Sequence, residues 1–227
     1  SWTQALCALD VVQCAAGCIT RVAVGLCHTL AVCEGSVMSF GAGSALGHNG
    51  DDSGKQLVPK VIKGLTNVRV CAVAAGNAHS LVLTTEGMVL SFGNGGSDAD
   101  VDASGQLGHG DGQDQLVPKM IEGLHDVRVC AMAAGYDYNL VLTTGGEVLS
   151  FGNGMCGALG HGNEENQLVP KVIEGLHHVR VCAVAAGYNH SLVLTTGGVV
   201  LSFGHGESGA LGYGVAEVQL VPKVIEG

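Results

Sequence analysis

The segment VRVCAVAAGNAHSLVLTTEGMVLSFGNG, residues 68–95, returns in large part from Val127 and again from Val179. Registered on Gly25, Gly76, Gly135 and Gly187, four copies follow one another at intervals of 51, 59 and 52 residues. Self-similarity at this period restricts the chain to stacked units, either a solenoid or a propeller, because one such unit cannot bury its own apolar face. Every copy passes the same landmarks. An aromatic comes first (Phe40, Phe92, Phe151, Phe203), then an ALG or QLG turn, then a proline (Pro59, Pro118, Pro170, Pro222), and these are the only four Phe and four Pro of the chain.

Within a copy the local signals are those of strands. LVLTT and MVLSF or EVLSF are short, apolar and β-branched, and the TEG or TGG between them supplies the glycine that a tight hairpin turn needs. LVPKVIEG reads as a strand whose proline tolerates only an edge or starting position, and VRVCAVAA is the fourth candidate. No stretch has the 3.6-residue period of a long amphipathic helix. The apolar runs are nearly continuous rather than alternating, so both faces of each small sheet must be covered. Radial packing of blades does this: Ala, Cys and Gly suit the crowded strands at the axis, and Phe fills the wider space between blades.

The expected fold is therefore all-β, a β-propeller of about four blades forming a partial or small ring. Residues 1–16 form an N-terminal segment and a candidate closing strand, and residues 17–227 the propeller, in units of about 17–67, 68–126, 127–178 and 179–227. The last LVPKVIEG is expected to complete the first blade, as the chain has no LVPK segment before DVVQCAAG. If the ring stays open, each end blade leaves several hundred Å² of apolar surface uncovered, worth on the order of 10 kcal/mol at ~25 cal/mol per Å². A second copy, a partner or further blades must then cover it. The chain has no initiator Met, as a processed or partial sequence would.

No apolar run approaches the ~18 residues of a membrane-spanning helix. Of the nine cysteines, Cys71, Cys130 and Cys182 hold one position in successive copies, where they are too far apart to bridge. They read as small buried apolar residues, and Cys14, Cys18, Cys27 and Cys33 lack the paired spacing of a zinc site. A reducing compartment is the expectation.

Catalytic signals are missing. His28, His79 and His190 share a position that Tyr138 takes in the third copy, which fits a buried ring bonded to nearby backbone rather than a reacting group. His48, His109 and His161 follow LG in a turn whose fourth member is Tyr213. There is no GxSxG, and the glycine-rich GNGG and GAGSALG lack the Lys-Ser/Thr of a phosphate loop. Asp98, Asp100 and Asp102 alternate as Ca²⁺ ligands do, but Ala103 replaces the required glycine and His109 the closing Glu, so a solvated acidic loop is the reading. No enzyme activity, metal or cofactor is expected.

Charge is more informative. The segments between each Phe-Gly and the following LVPK hold eleven of the twenty acids, with Lys55 as their only cation. The candidate partner-binding residues are Asp51, Asp52, Asp98, Asp100, Asp102, Asp111, Asp114, Glu164 and Glu165, with Glu207 and Glu217 in the last copy. If these loops share one rim, that rim attracts a basic protein and repels nucleic acid. The formal net charge of -10 and the scattered Lys and Arg argue the same way.

GNAHSLVLTTEGMVLSFGNG followed by GQLGHGD resembles the repeat of the regulator of chromosome condensation family, with its Gly, His-Ser pair, Gly turn, aromatic before Gly and GQLG turn. The resemblance covers residues 17–227 and implies a propeller. The family usually builds seven blades, and its aromatic before Gly is usually Trp, where this chain has Phe. Members resembling this chain act as an ultraviolet-B receptor with clustered tryptophans, as an exchange factor for the Ran GTPase, and as accessory propellers of ubiquitin ligases. The sole Trp here is Trp2, outside the blades, which excludes photoreception. The expected role is a non-enzymatic interaction scaffold or an accessory subunit, with contacts or dimerisation through open blade faces. The alternatives are nucleotide exchange on a Ran-like GTPase and a partial regulatory propeller of a larger protein such as a ligase.

Overall fold

The computed structural model describes residues 18–50, 54–96 and 103–226. These residues form four sheets, each of four antiparallel strands hydrogen-bonded in chain order. Blade 1 comprises β1 (Ile19–Val24), β2 (His28–Cys33), β3 (Ser36–Ala42) and β4 (Lys55–Val61). Blade 2 comprises β5 (Val70–Ala75), β6 (His79–Thr84), β7 (Val89–Gly93) and β8 (Gln115–Met120). Blade 3 comprises β9 (Val129–Ala134), β10 (Tyr138–Thr143), β11 (Val148–Gly152) and β12 (Gln167–Val172). Blade 4 comprises β13 (Val181–Ala186), β14 (His190–Thr195), β15 (Val200–Gly204) and β16 (Gln219–Val224).

The first strand of each blade lies innermost, where β1 packs on β5, β5 on β9 and β9 on β13. The Ala-rich sequence of β5, β9 and β13 follows from that position, since neighbouring backbones converge there. The second strands β6 and β10 are buried along their whole length. Their alternate residues enter different cores. Val82 joins Leu30, Val32, Val37 and Phe92 at the junction of blades 1 and 2, whereas Leu81 and Leu83 join Val141 and Phe151 at the next. A strand gripped on both faces needs apolar side chains at odd and even positions alike. The prolines sit on β4, β8, β12 and β16, the outer edge of each sheet, where no neighbour requires their missing N–H.

The Phe rings fill the inter-blade space. Phe92, Phe151 and Phe203 are fully buried, and each lies over a glycine of the preceding blade's turn. At Gly108 (φ +74°) a Cβ would meet the Phe151 ring at 3.0 Å, so this glycine provides both the left-handed turn and the room for the ring.

Three expectations need correction. The final strand β16 pairs with β15 and completes blade 4, while blade 1 has its own fourth strand, β4. Each blade is thus built from one copy of the repeat. The cysteines Cys71, Cys130 and Cys182 are exposed, not buried. Each is the extra residue of a β-bulge: Val70 pairs with Thr84 and Ala72 with Leu83, leaving Cys71 outside the ladder, and β9 and β13 repeat the pattern. Its thiol donates to the carbonyl of Thr84, Thr143 or Thr195. His28 and His79, finally, bond to a side chain of the next blade rather than to nearby backbone.

Each blade packs on its successor, but no strand of blade 4 packs on blade 1 among the described residues in the way neighbouring blades do. The arc is open. Leu194 on the outward face of blade 4 is 37% exposed, against 2% for its counterparts Leu83 and Leu142. The segment 1–16 lies outside the described residues.

Candidate functional site

The residues after the aligned glycines begin one rim of the arc. Leu26 N–H donates to the carbonyl of Asn77 (3.3 Å), Asn77 N–H to that of Tyr136 (2.9 Å), and Tyr136 N–H to that of Tyr188 (3.2 Å), a backbone chain crossing three blade junctions. The rings of Tyr136 and Tyr188 stand 4.2 Å apart. A hydrogen bond with Tyr188 holds the Tyr136 phenol above its ordinary value. Nothing in the run of the repeat signals this pair, since the first two copies hold Leu26 and Asn77 at its position.

Two residues further on, the recurring ring reaches into the next blade. His28 Nε2 lies 2.9 Å from Ser80 Oγ and His79 Nε2 lies 2.8 Å from Asn139 Oδ1, while the Tyr138 and Ser191 hydroxyl oxygens lie 3.1 Å apart. The receiving side chain also donates back to the preceding blade's turn: Ser80 to the Ala45 carbonyl, Asn139 Nδ2 to that of Gln106, and Ser191 to that of Ala158. Burial is the leading cause that lowers the pKa of both His28 and His79 to about 4, so both rings are neutral at physiological pH. They hold blades together. The turn residues His48, His109 and His161 bond to Ser39, Ser91 and Ser150 of their own blade, and Tyr213 meets Ser202 likewise.

The acidic loops connect the third and fourth strand of each blade. Asp51, Asp52, Asp98, Asp100 and Asp102, including the whole candidate Ca²⁺ trio, lie outside the described residues. Among the described ones, Asp114 accepts the Gly95 N–H at 2.9 Å and so braces the neck of its own loop. Asp111 accepts the Gln113 N–H at 3.1 Å, and Glu165 pairs with Asn163. Glu164 is exposed, and Glu207 lies 3.3 Å from His205 Nε2. Part of the acidic set thus shapes loops and part faces solvent.

Between the loop necks of blades 2 and 3 opens a polar cavity of about 610 Å³. Its walls include Asn77, Asn94, Gln106, Tyr136, Asp137 and Asn153, and its described lining contains no Lys or Arg. Asn94 Oδ1 accepts both the Gly96 N–H and Gln106 Nε2, and Asn77 Nδ2 donates to Asp137 at 3.3 Å. Asn166 Nδ2 ties the loop of blade 3 to the Ala103 carbonyl of blade 2. The arrangement offers amide groups, one carboxylate and a phenol ring, which suit contacts to a polar or cationic protein segment. Among the described residues that line it, no nucleophile is paired with a base. Among the described residues no cluster of His, Cys, Asp and Glu is placed to hold a metal ion, and no helix is long and apolar enough to cross a membrane.

Comparison with known proteins agrees with the architecture. The chain matches the Regulator of chromosome condensation (RCC1) repeat over residues 34–83, 86–142 and 145–194, and a second form of that repeat over 70–98 and 181–210. It is 32% identical to the ultraviolet-B receptor UVR8 of Arabidopsis thaliana over 212 residues, covering 92% of this chain and 46% of the receptor. It is 35% identical to the human E3 ubiquitin-protein ligase HERC2 over 214 residues, 92% of this chain but 4% of the ligase. Among solved structures, human WBSCR16 superposes with a TM-score of 0.79 at 25% identity over 93% of this chain and 54% of that one. Yeast RCC1 (Prp20), in a complex with Kap60, superposes with a TM-score of 0.78 at 26% identity over 93% and 49%. The chain therefore spans about half or less of the curated relatives described here.

Proposed function

Since the chain belongs to the family of regulator of chromosome condensation (RCC1) repeat propellers, we propose that it is a non-enzymatic interaction module whose loop rim docks a basic segment of a protein partner. The observation that carries this reading is the cavity at the loop necks of blades 2 and 3, whose described lining holds Tyr136 and Asp137 and no Lys or Arg. Acidic side chains around a concave, low-dielectric wall focus potential outward and raise the rate of encounter with a basic chain. The yeast relative crystallised with Kap60 is a propeller of this kind in a protein complex.

A second reading, that the chain serves as an accessory propeller within a larger protein or assembly, draws on the small share of HERC2 that it matches and on the open face of blade 4. Nucleotide exchange on a Ran-like GTPase is the enzymatic rival, and release of a fluorescent nucleotide from Ran in the presence of the purified chain tests it directly. For the basic-partner reading, Asp98, Asp100 and Asp102 are replaced together by Asn and binding of a Lys/Arg-rich peptide is measured by calorimetry. At ~0.5 kcal/mol for each exposed rim charge, affinity falls about tenfold, with more loss at low salt than at high, and the melting temperature stays within a degree. Unchanged affinity at low salt removes these loops from the interface.

A further inference from the structure

The four tyrosines of the chain are of two kinds. Tyr138 is fully buried, its hydroxyl donating to the His190 carbonyl. Tyr213 donates to the Lys223 carbonyl, and the Lys223 ammonium lies over its ring. Tyr136 and Tyr188, by contrast, face each other across the junction of blades 3 and 4 on the rim, and Tyr188 is 62% exposed.

Three contacts hold this pair in one arrangement. The Tyr136 N–H donates to the Tyr188 carbonyl at 3.2 Å, which fixes the two backbones side by side where the rings leave them. The ring centroids stand 4.2 Å apart with the planes tilted by 37°, nearer than the ~4.5–7 Å usual for aromatic pairs. The two hydroxyls are joined by a hydrogen bond, and the Asn77 side chain of blade 2 holds the Tyr136 phenol as well. Because the hydroxyls meet, the ring carbons beside each C–OH are the ones brought together.

We propose that Tyr136 and Tyr188 form a site of oxidative cross-linking, at which a peroxide-driven one-electron oxidant joins the two rings as a dityrosine and fastens blade 3 to blade 4. Each phenol loses one electron and its hydroxyl proton, which leaves spin density on the carbons beside the C–O bond. The two radicals couple by forming one carbon–carbon bond between those carbons, and the hydrogens at the joined carbons then move to the oxygens and restore both phenols. The net loss is two electrons and two protons. Hydrogen peroxide takes them up, through a haem peroxidase, and is reduced to two molecules of water. Coupling between separate molecules must wait for an encounter, whereas here the partner ring is already in contact, so the step is first-order. Only the contact between two neighbouring blades is required; the acidic loops and the outermost blade faces take no part.

The test treats the full 227-residue chain with hydrogen peroxide and a haem peroxidase, after iodoacetamide has blocked the exposed thiols that would otherwise quench the radicals. Dityrosine fluorescence is followed, and the linked peptides are identified by mass spectrometry after proteolysis. The wild type is expected to cross-link at a rate per molecule that does not depend on protein concentration, and to keep the mass of one chain less two hydrogen atoms. The linked peptides should join Tyr136 to Tyr188. Tyr136→Phe and Tyr188→Phe should each lower the yield about tenfold or more, since the high effective concentration of the partner ring is lost, while Tyr213→Phe keeps it. All three variants remove one hydroxyl and are expected to retain the wild-type far-UV circular dichroism. The cross-linked chain should also melt higher, because the new bond closes a loop whose ends lie 52 positions apart. Dityrosine found only in covalent pairs of chains, dityrosine that survives Tyr188→Phe, or none at all while N-acetyltyrosinamide couples in the same mixture would each overturn the assignment.

Discussion

Phe151 and Phe40 hold the same position in the repeat but different environments, and truncating each to Ala separates what the repeat encodes from what packing adds. Phe151 is fully buried against Leu81, Leu83, Ile121 and the Gly108 turn. A buried Phe removes ~150–250 Å² from water, which at ~25 cal/mol per Å² is about 4–6 kcal/mol. Measured core Phe→Ala losses of about 3–5 kcal/mol bracket the same figure, so about 4 kcal/mol is expected. In a stacked array that loss falls on one junction and weakens the coupling of blades 1 and 2 to blades 3 and 4. Phe40, only partly buried on blade 1, should lose less by the same area rule, about 3 kcal/mol. Urea unfolding followed by far-UV circular dichroism reads both, and limited proteolysis of the Phe151→Ala variant should release a fragment cut near the second junction. Equal losses for the two variants would refute the claim that these rings stabilise by inter-blade burial.

Other consequences follow from the junction contacts. Asn139→Ala leaves the His79 ring and the Gln106 carbonyl without their partner in a dry core, so it should cost about 2–3 kcal/mol, with Asn139→Ser recovering part; a neutral Ala variant would contradict the pairing. The folded pKa of His79 and His28 lies near 4, below the ordinary value of about 6.5. Their contribution to stability is therefore fully present above pH 6.5 and is lost as the pH falls toward 4. The melting temperature should drop across that window, and less steeply in His79→Gln; parallel pH profiles would assign the acid loss to other groups. Iodoacetamide should label Cys71, Cys130 and Cys182 quickly and Cys33, which is buried, slowly; mass spectrometry of the peptides reads the order. Gly108→Ala should destabilise by more than the ~1–2 kcal/mol of a left-handed backbone alone, because its Cβ meets Phe151 at 3.0 Å.

Period, strand type and the edge place of each proline were legible in the sequence, because they depend on spacing and on what a backbone without an N–H can do. The four copies with their Phe, turn and Pro determined four sheets of one architecture. Partner choice was not legible. The sequence shows a recurring His but not that its nitrogen meets Ser80 or Asn139 of the following blade, since that contact joins residues 52 or 60 positions apart. It shows a recurring Cys of small volume, but not that a one-residue slip in pairing pushes that thiol out of the ladder. The acidic loops are visible as composition, yet only folding assigns Asp114 to a loop neck and brings Asn77, Asn94 and Asp137 from separate segments around one cavity. Local chemistry fixes what each unit is. How units meet is decided by the radial packing of one blade on the next, which no single copy of the repeat contains.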